Sequence, residues 1–176
     1  MHEALVAVLF AMLHVVGPGY ARSRDARLIV EAVADVVEDD AEAAANLPPD
    51  EAKAFAPITS SYAEDAALQL YWAVRESSLN LTITGDGGKS RGAWQLQLPA
   101  GTSSAHAQAR AWRKLLRVGA KRCPVAASIM WGDCEVELST DEAATSKSAA
   151  LRRQAKARAL LLRAMAMGVV RTADAR

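Results

Sequence analysis

Tyr62 to Glu76 reads YAEDAALQLYWAVRE and is followed by Ser77-Ser78-Leu79-Asn80; the fold class turns on this stretch. Ala66, Ala67, Leu68, Leu70, Tyr71, Trp72, Ala73 and Val74 leave almost no polar side, which is the pattern of a helix sunk in a core. Glu76 stands at its C-terminal end. The texture then changes. Leu79 to Thr84 is rich in β-branched residues, Gly85-Asp86-Gly87-Gly88 is a turn, and Trp94 to Leu98 alternates. This predicts a small β-hairpin, or an irregular β-like loop, beside the buried helix.

Upstream, after Arg22-Ser23-Arg24, apolar Leu28, Ile29, Ala32, Val33, Val36 and Val37 recur at helical spacing, with Asp35, Glu38 and Asp39 largely opposite. That amphipathic helix runs into an acidic, alanine-rich stretch ending at Asn46-Leu47-Pro48-Pro49, and Pro57 with Thr59-Ser60-Ser61 marks a second break. Downstream, Ser103 or Ser104 caps a helix to about Val118 with Trp112, Leu115 and Leu116 facing inward. A short helix is expected after Pro124, stopping near Gly132, and a last long one from about Asp141 to Met167 carries Leu151, Leu160, Leu161 and Met165 among basic residues. Much of the 51% hydrophobic content is alanine, a helix former, so a mostly α fold is expected. The 176 residues suit one domain, taken as 22–170, with a frayed tail over 171–176.

Residues 1–21 stand apart. Ala4 to Val16 is a 13-residue apolar run broken only by His14 and followed by Gly17-Pro18-Gly19. It is short for a membrane span. It suits either a secretory signal peptide cut after Ala21, though no Lys or Arg precedes it, or an apolar first helix of the mature fold.

The net charge of +1 hides an asymmetry: 5 basic and 14 acidic residues up to Asp86, then 16 basic and 6 acidic from Gly87 onward. Such a distribution either steers a polyanion to the basic half or solvates helix faces. The two cysteines, Cys123 and Cys134, and three scattered histidines, His2, His14 and His106, lack the spacing of a zinc site, so no metal is expected. If the protein is exported, Cys123 and Cys134 are expected to form a disulfide. A continuous helix would hold them roughly 16 Å apart, beyond the ~7 Å reach of a bridge, so the chain would have to turn back at Gly132.

A carboxylic acid at the end of a buried helix, beside Tyr71 and Trp72, sits where desolvation favours its protonated form. On position alone, Glu76 could equally cap a loop or pair with Arg75. The local pattern adds to this. Glu76-Ser77-Ser78-Leu79-Asn80, a loop, then Gly92-Ala93-Trp94-Gln95-Leu96 resembles the core motif of the lytic transglycosylases and goose-type lysozymes. In that family Glu-Ser is followed by an aromatic or apolar residue two positions on, and by Gly-x-x-Gln near the end of a β-like loop. The resemblance covers about Tyr62 to Gln97 well and the later helices, to Arg163, more loosely.

The resemblance implies an α+β lysozyme-like domain that cleaves the β-1,4 bond between N-acetylmuramic acid and N-acetylglucosamine in peptidoglycan, without a cofactor. Glu76 matches the catalytic acid. Ser77 matches the serine after it, a candidate to bond Glu76 or the substrate N-acetyl group. Gln95 is a candidate to hold a sugar or the acid through its amide, and Gly92 either admits a close glycan approach or serves a turn. The family's Ala-Tyr-Asn-x-Gly segment has Ser128-Ile129-Met130-Trp131-Gly132 as its nearest counterpart, where Trp131 is either a cleft wall stacking on a sugar or a core side chain.

With one carboxylate, the expected product is a 1,6-anhydromuramoyl end. A lysozyme-type hydrolase would instead need a second carboxylate, for which Asp86 is the candidate, although Asp-Gly-Gly is also ordinary turn chemistry. A non-catalytic peptidoglycan-binding domain is the alternative of a different class. The expected location is the periplasm or cell wall, or the wall as the target of a phage product. Lys147, Arg152, Arg153, Lys156, Arg158 and Arg163 on the last helix suit anionic envelope polymers. No nucleotide or nucleic-acid partner is expected: Gly88-Lys89-Ser90 resembles the end of a phosphate-binding loop, but its first glycine would fall on Ile83.

Overall fold

The computed structural model describes residues 2–98, 102–120 and 140–174, with side chains described over 2–98, 102–118 and 151–168. The described part is mostly helical: α1 (His2–Val16), α2 (Pro18–Ala21), α3 (Ala26–Asn46), α4 (Pro49–Ala52), α5 (Tyr62–Ser77), α6 (Ala105–Ala120) and α7 (Thr140–Asp174). One hairpin joins β1 (Thr84–Gly85) to β2 (Ser90–Arg91), antiparallel, with Thr84 opposite Arg91 and Gly85 opposite Ser90.

Helix α5 is the centre, and α1, α3, α6 and α7 all pack on it. Its start is set by Ser61, whose Oγ accepts the Glu64 N–H at 3.2 Å, satisfying one of the amides a first turn leaves open. Ala66, Ala67, Leu68, Leu70, Trp72, Ala73 and Val74 are all buried, as the apolar run requires. Against it lie Ile29, Val33 and Val37 of α3, Trp112 and Leu116 of α6, and Leu160, Leu161 and Ala164 of α7. Two inward assignments are corrected: Leu28 is 53% and Leu115 45% exposed, because each sits at the edge of a stripe whose middle makes the contact.

The apolar segment expected as a leader or first helix forms α1, which packs on α7 and α3 with Leu9, Met12 and Leu13 fully buried. No helix among the described residues is long and apolar enough to cross a membrane. Helix α7 continues to Asp174, past both Met167 and the start of the expected frayed tail. Cys123, Cys134, Pro124, Trp131 and Gly132 lie outside the described residues, and so do the short helix and the disulfide expected there.

Part of the charge asymmetry is matched between helices of the fold. Acidic α3 faces basic α6 through Asp39 to Arg110 at 2.7 Å and Asp40 to Arg117 at 2.7 Å and to Arg113. Arg113 also reaches Asp65, which is fully buried in the first turn of α5, at 3.0 Å. Asp65 further accepts the Ile58 N–H at 2.9 Å, the Thr59 N–H at 2.8 Å and the Thr59 hydroxyl at 2.7 Å. A buried carboxylate with that many donors is compensated. It fixes the loop before α5, and hence where the helix begins.

Candidate active site

Glu76 lies in the last turn of α5, with its side chain 26% exposed. Its partner is neither Arg75, which is exposed, nor a loop amide. Arg153 of α7 donates from Nη1 to Glu76 Oε1 at 2.7 Å. The same guanidinium lies over the Trp72 ring, 4.5 Å from its centroid, and Trp72 packs tilted against Trp112 at 6.2 Å. Tyr71 is only half-buried, so the apolar wall beside Glu76 is chiefly Trp72, with a cation laid on it. The sequence marks Arg153 only as one of the basic residues suited to anionic polymers; its pairing with Glu76 carries no sequence signal, since 77 positions separate the two.

Helix α5 ends abruptly. Ser78 and Leu79 both take left-handed backbone, with φ of 55° and 63°, and the Ser78 and Leu79 N–H groups return to Val74 and Ala73 carbonyls at 3.1 and 3.4 Å. For residues other than glycine this costs roughly 1–2 kcal/mol each. Three residues hold the bend. Ser77 Oγ donates to the Ala73 carbonyl at 3.0 Å and accepts the Asn80 N–H at 3.0 Å, Leu79 is buried, and Asp25 accepts the Leu81 N–H at 3.0 Å. Ser77 is thus turned inward as a helix-end hydroxyl and is 7% exposed; its recorded partners are backbone groups and do not include Glu76.

Among the described residues, positive φ in residues other than glycine is confined to Ser78, Leu79, Asp86 and Gln95, all in the segment that follows Glu76. Asp86 opens the hairpin turn, and its carboxylate accepts the Ser90 hydroxyl. Gln95 donates from Nε2 to the carbonyls of Gly92 at 2.9 Å and Ile83 at 3.4 Å, so its amide braces the hairpin from within.

The Gly-x-x-Gln loop and the chain after Glu76 form one bonded unit. The Gly92 N–H donates to Ile83 at 2.9 Å. Gln108 of α6, 1% exposed, accepts the Ala93 N–H at 2.9 Å and donates to the Leu81 carbonyl at 3.1 Å. The Trp94 indole N–H donates to the Gln69 carbonyl of α5 at 2.9 Å. Gly92 has φ +76°, and a β-carbon on it would meet Gln108 Oε1 at 2.0 Å. The close approach that Gly92 admits is therefore to Gln108, a residue with no mark in the sequence pattern.

A polar cleft of about 370 Å³ opens beside this bend, lined among others by Arg24, Asp25, Ser78, Asn80, Thr82 and Ser103. Trp131 falls outside the described residues. Among the described residues no group of three or more His, Cys, Asp or Glu side chains is arranged to hold a metal ion. The arrangement offers one partly exposed carboxyl at the end of a buried helix, a hairpin loop bonded to that helix through Trp94, and a polar cleft beside the bend that follows it. No family model matches the chain, and no curated protein or solved structure matches it.

Proposed function

We propose that this chain is a peptidoglycan lytic transglycosylase with a lysozyme-like arrangement, in which Glu76 is the single acid and base. The observation that carries the reading is the bonding of the Gly-x-x-Gln loop to the chain that follows Glu76-Ser77, at Ile83 and, through Gln108, at Leu81, and to α5 at Gln69. Two segments whose joint pattern resembles the lytic transglycosylases are then bonded to each other and to the helix that carries Glu76. Support of this kind is what a positioned proton donor needs.

In the proposed reaction Glu76 gives its proton to the glycosidic oxygen, the bond to the muramoyl C1 breaks, and the N-acetylglucosamine end leaves as an alcohol. The resulting carboxylate takes the proton from the muramoyl C6 hydroxyl as that oxygen bonds to C1. The product is a 1,6-anhydro ring, Glu76 is again protonated, and no water or cofactor is consumed. Asp86 is the candidate second carboxylate for the hydrolytic alternative, but its bond to Ser90 and left-handed backbone suit the turn. The proposed substrate is the glycan strand, met in the periplasm or wall after export or as the target of a phage product.

Zymography on purified cell walls, followed by mass spectrometry of the fragments, tests the reading. Anhydromuramoyl ends are expected; reducing ends would establish a hydrolase, and intact walls would leave a binding domain.

A further inference from the structure

Arg153 of α7 meets Glu76 from across the fold, and its geometry is specific. Its guanidinium is stacked 4.5 Å above the Trp72 ring while Nη1 donates to Glu76 Oε1 at 2.7 Å. Both side chains are mostly covered, with Arg153 21% and Glu76 26% exposed. A planar cation can stack and aim a donor at once; a lysine ammonium cannot.

There is a physical need for such a partner. Glu76 sits in the last turn of α5, where the helix dipole presents its negative end to the carboxylate left after proton transfer. Its neighbours Ser77 and Ser78 are committed to the helix end and the bend, through Ser77 Oγ and the left-handed Ser78. Trp72, one turn earlier on the same helix, supplies the surface that orients the guanidinium, and Trp112 buttresses Trp72.

We infer that Arg153 is a positioning residue for Glu76: clamped on Trp72, it holds one carboxyl oxygen and so aims the other at the scissile bond and offsets the charge left after proton transfer. The inference rests on the reading of Glu76 as acid and base. It assigns to α7 a part in the reaction that the motif residues do not contain. By contrast, Arg158, five positions on, pairs with Glu64 at 3.0 Å near the start of α5 and is 62% exposed, so it has no route to the acid.

The test compares full-length wild type with Arg153→Ala, Arg153→Lys and, as control, Arg158→Ala on purified glycan strands, with circular dichroism to verify folding. Arg153→Ala is expected to lower kcat about 10- to 100-fold, the cost of a misaimed catalytic group, while KM stays within about 2-fold as befits loss of a transition-state interaction. Added guanidinium ion should restore part of that kcat, which a merely structural defect would not allow. Arg153→Lys should fall between the two, and Arg158→Ala should match wild type. If Arg153→Ala does not fold, the lysine variant carries the test through the same split. A wild-type or raised kcat in the folded Arg153 variants overturns the inference and leaves the acid assignment standing. Wild-type protein that leaves the strands uncut overturns the reading of Glu76, and the inference with it.

Discussion

Gln108 lies against Gly92 so closely that a β-carbon at position 92 would stand 2.0 Å from its Oε1. The contact joins α6 to the hairpin loop, and the same amide also bonds Ala93 and Leu81. Gly92→Ala therefore meets two penalties: a φ of +76° that side chains disfavour, and displacement of a buried amide from its partners. A loss of about 1–3 kcal/mol is expected, read as a lower midpoint in denaturant. An unchanged midpoint would mean that the loop relaxes without Gln108.

Glu76→Gln keeps the size of the side chain and an acceptor for Arg153 Nη1 while removing the transferable proton. Turnover of peptidoglycan should disappear and the circular dichroism spectrum should not change. Asp86→Asn, altered only at the turn, should still yield anhydro ends. A folded Glu76→Gln protein with near-normal activity would remove the acid assignment.

Asp65 is the internal anchor of α5, fully buried with Arg113 at 3.0 Å and Thr59 on its other oxygen. Asp65→Ala leaves the Arg113 guanidinium buried with a partner lost, and should cost about 3–5 kcal/mol. The exposed pair of Arg27 and Glu31 offers the contrast, since solvent screening should leave Arg27→Ala close to wild type in stability. Equilibrium unfolding of both variants checks the ranking.

Helix α1 covers Ala67 of α5 and Leu160, Leu161 and Ala164 of α7 through Met12 and its neighbours. A chain starting at Arg22 should therefore unfold at lower temperature than the full chain and bind a hydrophobic dye. Equal melting of the two would show that α1 adds nothing to the fold. Intact mass of the protein recovered from its native host would show which form is made.

Much of the helical framework was legible in the sequence because hydrophobic periodicity reports a local property. The buried face of α5, the amphipathic α3 and the breaks at Pro48-Pro49 and Pro57 follow from side chains a few positions apart. Gly85-Asp86-Gly87-Gly88 likewise carries its turn in its own backbone preferences. What the tertiary structure alone decided are the long-range partners: Arg153 for Glu76, Arg113 for Asp65, Asp25 for the Leu81 amide, and Gln108 for the loop at Gly92. Charge and amide side chains look alike along a sequence whether solvated or buried. Which of them meet is set by how α3, α6 and α7 cross α5, and that crossing depends on the packing of whole helix faces rather than on any single residue. The same reason explains Leu28 and Leu115, apolar by pattern yet exposed, because the width of a buried stripe is fixed by the neighbouring helix.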